Sequence, residues 1–116
     1  MKQAPIEPPL STAVTYILLA LAEHDLHGYG IMQATLKASA GEYRMGPGTL
    51  YDNLRALIAG GLVSGADADD SGAETRRMYR LTQAGAGVLA AELKRLEQVV
   101  KAGRRRLAAT PAREAR

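Results

Sequence analysis

Toward the C-terminus, apolar residues recur at Leu89, Leu93, Leu96, Val100 and Leu107, with Gly103 completing spacings of 4, 3, 4, 3 and 4. A run of this kind is a heptad seam and requires a helix. Thr82 is a suitable N-cap for it, so the helix has roughly 25 residues and a length of about 37 Å at 1.5 Å per residue. A chain of 116 residues is expected to form one domain, whose core is too small to cover a helix of that length. Val88, Val99 and several alanines add a second apolar flank. Packing against a second copy of the chain is the economical solution. Residues 82–108 are therefore assigned to a C-terminal dimerisation helix. The seam Leu89, Leu93, Leu96, Val100 and Leu107 is expected to form the dimer interface together with Val14, Ile17, Leu18 and Leu21 of an apolar first helix.

The remaining elements follow from caps, breakers and periodicity. Residues 1–9 contain three prolines and read as a disordered arm. Ser11 or Thr12 caps a helix over about residues 11–23 that is apolar nearly all round, and so is buried on more than one side. His24-Asp25-Leu26 reads as a turn. A second helix runs from about His27 to Ser39 and stops at Gly41. A third begins at Pro47, where a missing N–H has no intrahelical partner to lose. Leu50, Leu54, Leu57 and Ile58 form its buried stripe, and Gly60-Gly61 ends it. Leu62-Val63-Ser64 and Arg76 to Leu81 read as the two strands of a hairpin, with Arg77, Tyr79 and Leu81 on one face and Arg76, Met78 and Arg80 on the other. The polar run 65–75 joins them. Residues 109–116 are expected to be a disordered basic tail.

The composition narrows the function. The chain has no Cys, so it carries neither a disulfide framework nor a thiolate metal site, and it suits a reducing, cytoplasmic setting. No apolar run reaches the ~18 residues of a transmembrane helix, and the N-terminus lacks the apolar core of a signal peptide. The serines stand outside any nucleophile-elbow context, which argues against an enzyme. Asp67, Asp69 and Asp70 resemble the start of a calcium loop, but the acidic ligand closing such a loop would fall on Met78. No metal or other cofactor is expected. The net charge of +3 is concentrated at the end of the chain: residues 101–116 hold six basic groups against one acidic group, and the remainder is net acidic. Any nucleic-acid surface must therefore rest on local clusters.

Such clusters surround the third helix. Three short helices followed by a hairpin describe a winged helix-turn-helix, with the third helix as reader and the hairpin as wing. The fold class is thus mainly α with a small β-hairpin, the winged helix spanning residues 10–81. Opposite the leucine stripe lie Gly48, Asp52, Arg55, Ala56 and Ala59, flanked by Thr49, Asn53 and Tyr51. These small and hydrogen-bonding side chains suit a groove about 12 Å wide. Lys37, Arg44, Arg76, Arg77 and Arg80 surround them as phosphate ligands. Asp52 opposes phosphate, and would instead accept from Arg55 or from a cytosine amino group. The competing reading of the wing arginines is pairing with Asp67, Asp69, Asp70 and Glu74.

The stretches L-L-A-L-A-E-H-D-L-H-G-Y-G-I-M, P-G-T-L-Y-D-N-L-R-A-L-I-A-G-G-L-V and R-R-M-Y-R-L-T-Q-A-G, spanning roughly residues 13–95, resemble the PadR family of transcriptional regulators. With a single helix after the wing, the chain looks like the family's short form. The resemblance implies a homodimer that represses a nearby operon from double-stranded DNA and, in many members, is released by a small-molecule effector. It places Tyr29 near the DNA backbone, Thr49 and Tyr51 at the start of the reading helix, and Arg76 and Arg77 at the wing tip. The last helix has no aromatic residue, so an effector would use Tyr16, aliphatic groups and polar residues such as Glu97. Two alternatives lack DNA: a ligand-binding helical dimer and a protein-interaction dimer.

Overall fold

The computed structural model describes residues 5–67 and 77–109. Its elements are α1 (Thr12–Leu21), α2 (Gly28–Ala38), α3 (Pro47–Ala59), β1 (Val63–Asp67), β2 (Arg77–Leu81) and α4 (Gln83–Ala109). α1, α2 and α3 pack on one another, and a two-stranded antiparallel sheet follows them. Ser11 caps α1, its Oγ accepting from the Val14 N–H at 3.1 Å. Thr82 does the same for α4, accepting from the Gly85 N–H at 3.0 Å. Pro47 occupies the first turn of α3. α2 ends where Ala40 and Gly41 enter the left-handed region, at φ of 53° and 82°, and the Gly41 N–H returns to the Leu36 carbonyl.

The strand register pairs Val63 with Leu81 and Asp67 with Arg77. β1 is therefore longer than its apolar residues suggest, because ladder pairing with β2 draws Gly65, Ala66 and Asp67 into extended conformation. The segment His24-Asp25-Leu26 is more than a turn. The Leu26 N–H donates to the Tyr79 carbonyl at 3.2 Å, and the Tyr79 N–H donates back to Leu26 at 2.9 Å. One extra bridge thus ties the α1–α2 connection to the wing.

The core consists of Ile17, Leu18, Leu21, Ile31, Met45, Leu50, Leu54, Leu57, Leu62, Val63, Tyr79 and Leu89, with Ala13 and Val14 at its edge. Burying one such Leu, Ile or Val contributes about 1.5–3 kcal/mol. This placement corrects part of the expected dimer surface. Val14, Ile17, Leu18, Leu21 and Leu89 are all buried inside the protomer. α1 is apolar on several sides because α2, α3, α4 and β2 all pack on it. The described part of the proline arm packs on the core through Ile6, which is partly buried against it, as is Leu10 next to the arm. Residues 1–4, 68–76 and 110–116, which include Arg76, Asp69, Asp70 and all of the expected basic tail but Ala109, lie outside the described residues.

One buried charge fastens α4 to the body. Glu92 is 1% exposed. Its carboxylate accepts from Arg95 Nε at 2.9 Å and Nη2 at 2.8 Å, and from the Leu10 N–H at 3.4 Å. The Arg95 guanidinium, helped by that N–H, holds the Glu92 carboxyl below the usual carboxylate range against the upward push of burial. A lowered folded-state pKa stabilises the fold above the unfolded-state pKa, and the contribution is lost as pH falls through the folded-state value. Wild type should therefore be more stable than Glu92→Gln at neutral pH, and the gap should close below the usual carboxylate range. Denaturant midpoints across that range check this; a gap independent of pH would contradict it.

Candidate nucleic-acid interface

α3 presents a thin outer face because its leucines all turn inward. Leu50, Leu54 and Leu57 are at most 1% exposed, whereas Gly48, Thr49, Asp52, Arg55 and Ala59 are exposed. These positions follow the helical repeat and form one stripe. Thr49 is the longest uncharged side chain on it. Asp52 and Arg55 form an exposed ion pair, so the carboxylate that would oppose phosphate is held by its own helix. The Asn53 amide donates to the Thr49 carbonyl at 2.8 Å, which commits one of its N–H groups to the backbone.

α2 runs beside this helix and contributes a second stripe, Tyr29, Gln33 and Lys37, spaced four residues apart and exposed throughout. Tyr29 is 68% exposed despite its size. Arg44 stands exposed in the connection between α2 and α3. Arg77 opens β2 on the face it shares with buried Tyr79.

Two of the expected contact residues are occupied elsewhere. Arg80 Nε and Nη2 both donate to Asp25 Oδ2, at 3.0 and 2.9 Å. The pair sits where β2 meets the α1–α2 connection, next to the Leu26–Tyr79 bridge, and so serves the join between wing and body. The sequence offered acidic residues of the hairpin as partners for the wing arginines; the carboxylate that Arg80 meets lies 55 positions away. Tyr51 packs between helices. A Cβ built on Gly28 would come 2.2 Å from the Tyr51 hydroxyl, so the phenol lies across the first turn of α2 in the space that glycine leaves open, and a larger residue there would displace it. The H-G-Y and G-T-L-Y motifs therefore meet in space, which sequence spacing alone cannot show.

A third helix with a thin exposed face, a supporting helix and a two-stranded wing define a winged-helix protein of the helix-turn-helix class. The sequence pattern of the PadR-like family of transcriptional regulators matches residues 17–91, and the chain belongs to that family, whose members are regulators rather than enzymes. The transcriptional regulator Rv3488 of Mycobacterium tuberculosis is 35% identical over 86 residues, a match covering 74% of this chain and 77% of the relative. Among solved structures, a transcriptional regulator from Clostridium thermocellum superposes with a TM-score of 0.70 at 24% identity, covering 80% of this chain and 87% of its own. PadR of Bacillus subtilis, solved in complex with operator DNA, superposes with a TM-score of 0.62 at 22% identity, covering 72% of this chain and 47% of its own. Among the described residues, no helix is long and apolar enough to cross a membrane.

Proposed function

We propose that the protein is a homodimeric repressor that binds a pseudo-palindromic operator through two copies of α3. The exposed stripe Gly48, Thr49, Asp52 and Arg55 carries this reading. It is polar, narrow and backed by a fully buried leucine face, as insertion into a major groove requires. Tyr29, Lys37 and Arg44, with Arg77 of the wing, supply phosphate contacts that fix the register. The likeness to a fold solved on operator DNA supports the same use.

The second copy covers the distal half of α4. Leu93, Leu96, Glu97, Val100, Lys101 and Arg104 line an open apolar groove of about 730 Å³ there. A small-molecule effector would act from this side. With no aromatic residue on α4, it would rely on aliphatic contacts and on Tyr16, which lines the adjoining cleft between α1 and α4.

Selection from a random duplex DNA pool, followed by affinity measurements at two salt concentrations, tests the proposal. A palindromic winner whose binding falls steeply with salt is the expected outcome. Weak, sequence-indifferent binding beside tight small-molecule binding would favour a ligand-binding dimer instead. Arg77→Ala should weaken binding to all sequences and reduce the salt slope by about one unit. Asn53→Ala should shift sequence preference, and Arg80→Ala should leave the slope unchanged. A normal slope in Arg77→Ala would remove the wing from the contact surface.

A further inference from the structure

Between Ala38 and Pro47 the chain has neither helix nor ladder to hold it, yet it carries Arg44 and sets the start of α3. Its path turns sharply, since Ala40 and Gly41 both have positive φ. Three anchors fix the rest of the segment. The Ser39 hydroxyl accepts from the Tyr43 N–H at 2.9 Å and lies 3.2 and 3.3 Å from the Leu36 and Tyr43 carbonyls, to which it can donate. Met45 is buried in the core. The Tyr43 ring stacks on Tyr16 of α1, with centroids 5.5 Å apart and planes inclined by 21°. Arg44, exposed, stands between the stacked Tyr43 and the buried Met45, so its backbone is clamped on both sides.

Tyr16 reaches this turn from outside the winged helix's reading surface. It also lines the cleft between α1 and α4, with Leu10, Thr12, Leu19, Leu93 and Leu96. Tyr16 therefore stands between the α4 side of the molecule, where it lines the cleft, and the turn that leads into α3, where its ring stacks on Tyr43. We infer that Tyr16 is a positioning residue for DNA binding: through its stack on Tyr43 it fixes Arg44 and the entry of α3, and it couples that surface to the cleft beside α4. The inference rests on the DNA-binding reading above. Anything that displaces Tyr16 from the side of the cleft acts on the same anchor.

The test compares Tyr16→Leu, Tyr16→Phe and Tyr43→Leu in the full chain, with the duplex selected by wild type as the probe. A stacked pair contributes about 0.5–1.5 kcal/mol beyond its burial, so Tyr16→Leu should lose roughly two- to twelvefold in affinity. Tyr16→Phe keeps the stack and should bind as wild type does. Tyr43→Leu should lose as much as Tyr16→Leu, and the double variant no more than either. Amide exchange supplies a readout independent of DNA: the Tyr43 N–H should exchange faster in Tyr16→Leu, while amides of the α3 core keep their protection. Unchanged exchange at Tyr43 overturns the anchoring. Faster exchange with unchanged affinity, or additive losses in the double variant, overturns the positioning role. If wild type selects no specific duplex, the DNA-binding reading fails, and the exchange result still decides the anchoring.

Discussion

Gly85→Ala is expected to destabilise the fold more than any other single methyl addition at a described glycine. A Cβ at Gly85 would sit 2.1 Å from the Leu62 carbonyl oxygen and 2.7 Å from Leu81 Cδ1. The oxygen cannot swing aside, because it accepts from the Thr82 N–H at 3.1 Å. The Thr82 hydroxyl in turn caps α4 and donates to the Gly61 carbonyl at 2.7 Å. Relieving the clash would lift the first turn of α4 off the base of the hairpin and strain all these bonds together. Overpacking of this kind costs typically 1–3 kcal/mol, and a rigid backbone partner places Gly85 at the upper end. At about 4–8 °C per kcal/mol for a domain of this size, the melting temperature should fall by at least about 10 °C. Gly87→Ala is the control. It lies in the same helix with open space around it, and should stabilise by about 0.5–1 kcal/mol through helix propensity. Thermal unfolding of the two variants side by side decides the matter; equal melting temperatures would refute the close approach at Gly85.

The contrast between Gly85 and Gly87 shows what the sequence could and could not disclose. Local signals were legible. Ser11 and Thr82 are caps, Pro47 and Gly60 bound α3, and the leucine spacing identifies the buried face of α3, because each depends on neighbours a few residues away. Contacts between distant segments were not. Nothing in G-A-G-V distinguishes the glycine under a carbonyl from the one in open space. Asp25 and Arg80, Gly28 and Tyr51, Tyr16 and Tyr43, and Leu26 and Tyr79 meet only because the helices fold back on one another. The heptad seam misled in one respect. A 3–4 spacing reports burial but not what does the burying. Leu89, the first seam residue, is covered by the protomer itself, as are the apolar residues assigned to a partner on α1. Glu92 illustrates the converse: a charged residue in an amphipathic helix reads as exposed, yet Arg95 and the Leu10 N–H hold it in the body. For the reading surface, the outer stripe of α3 followed from the wheel alone. The Arg80–Asp25 pair did not, and the sequence left open whether Tyr51 packs between helices.

Val100→Asp is expected to produce a monomer and to lower affinity for the full operator by about two to four orders of magnitude. α4 has 27 residues, a length of about 40 Å. Its proximal part is buried through Gly85, Leu89 and Glu92. Beyond that, Leu93, Val99, Val100 and Leu107 are 41%, 55%, 49% and 68% exposed. Clustered exposure of large apolar side chains marks an interaction surface, and the seam continues from residues already packed. Under two-fold symmetry each introduced carboxylate would lie against the partner's apolar seam and lose its water there, a cost that apolar contacts cannot offset. On the proposed reading a monomer would engage one half-site through a single α3. In the proposed dimer the second half-site would be bound intramolecularly, at an effective concentration far above that of free protein. Light scattering should give the monomer mass for Val100→Asp. Its affinity for the palindrome should fall to that for an isolated half-site, its half-site affinity should match that of wild type, and its salt slope should be about half, because half as many phosphates are neutralised. A variant that stays dimeric would place the interface elsewhere. A monomer that still binds the palindrome at wild-type affinity would show that paired recognition helices are not the basis of operator binding.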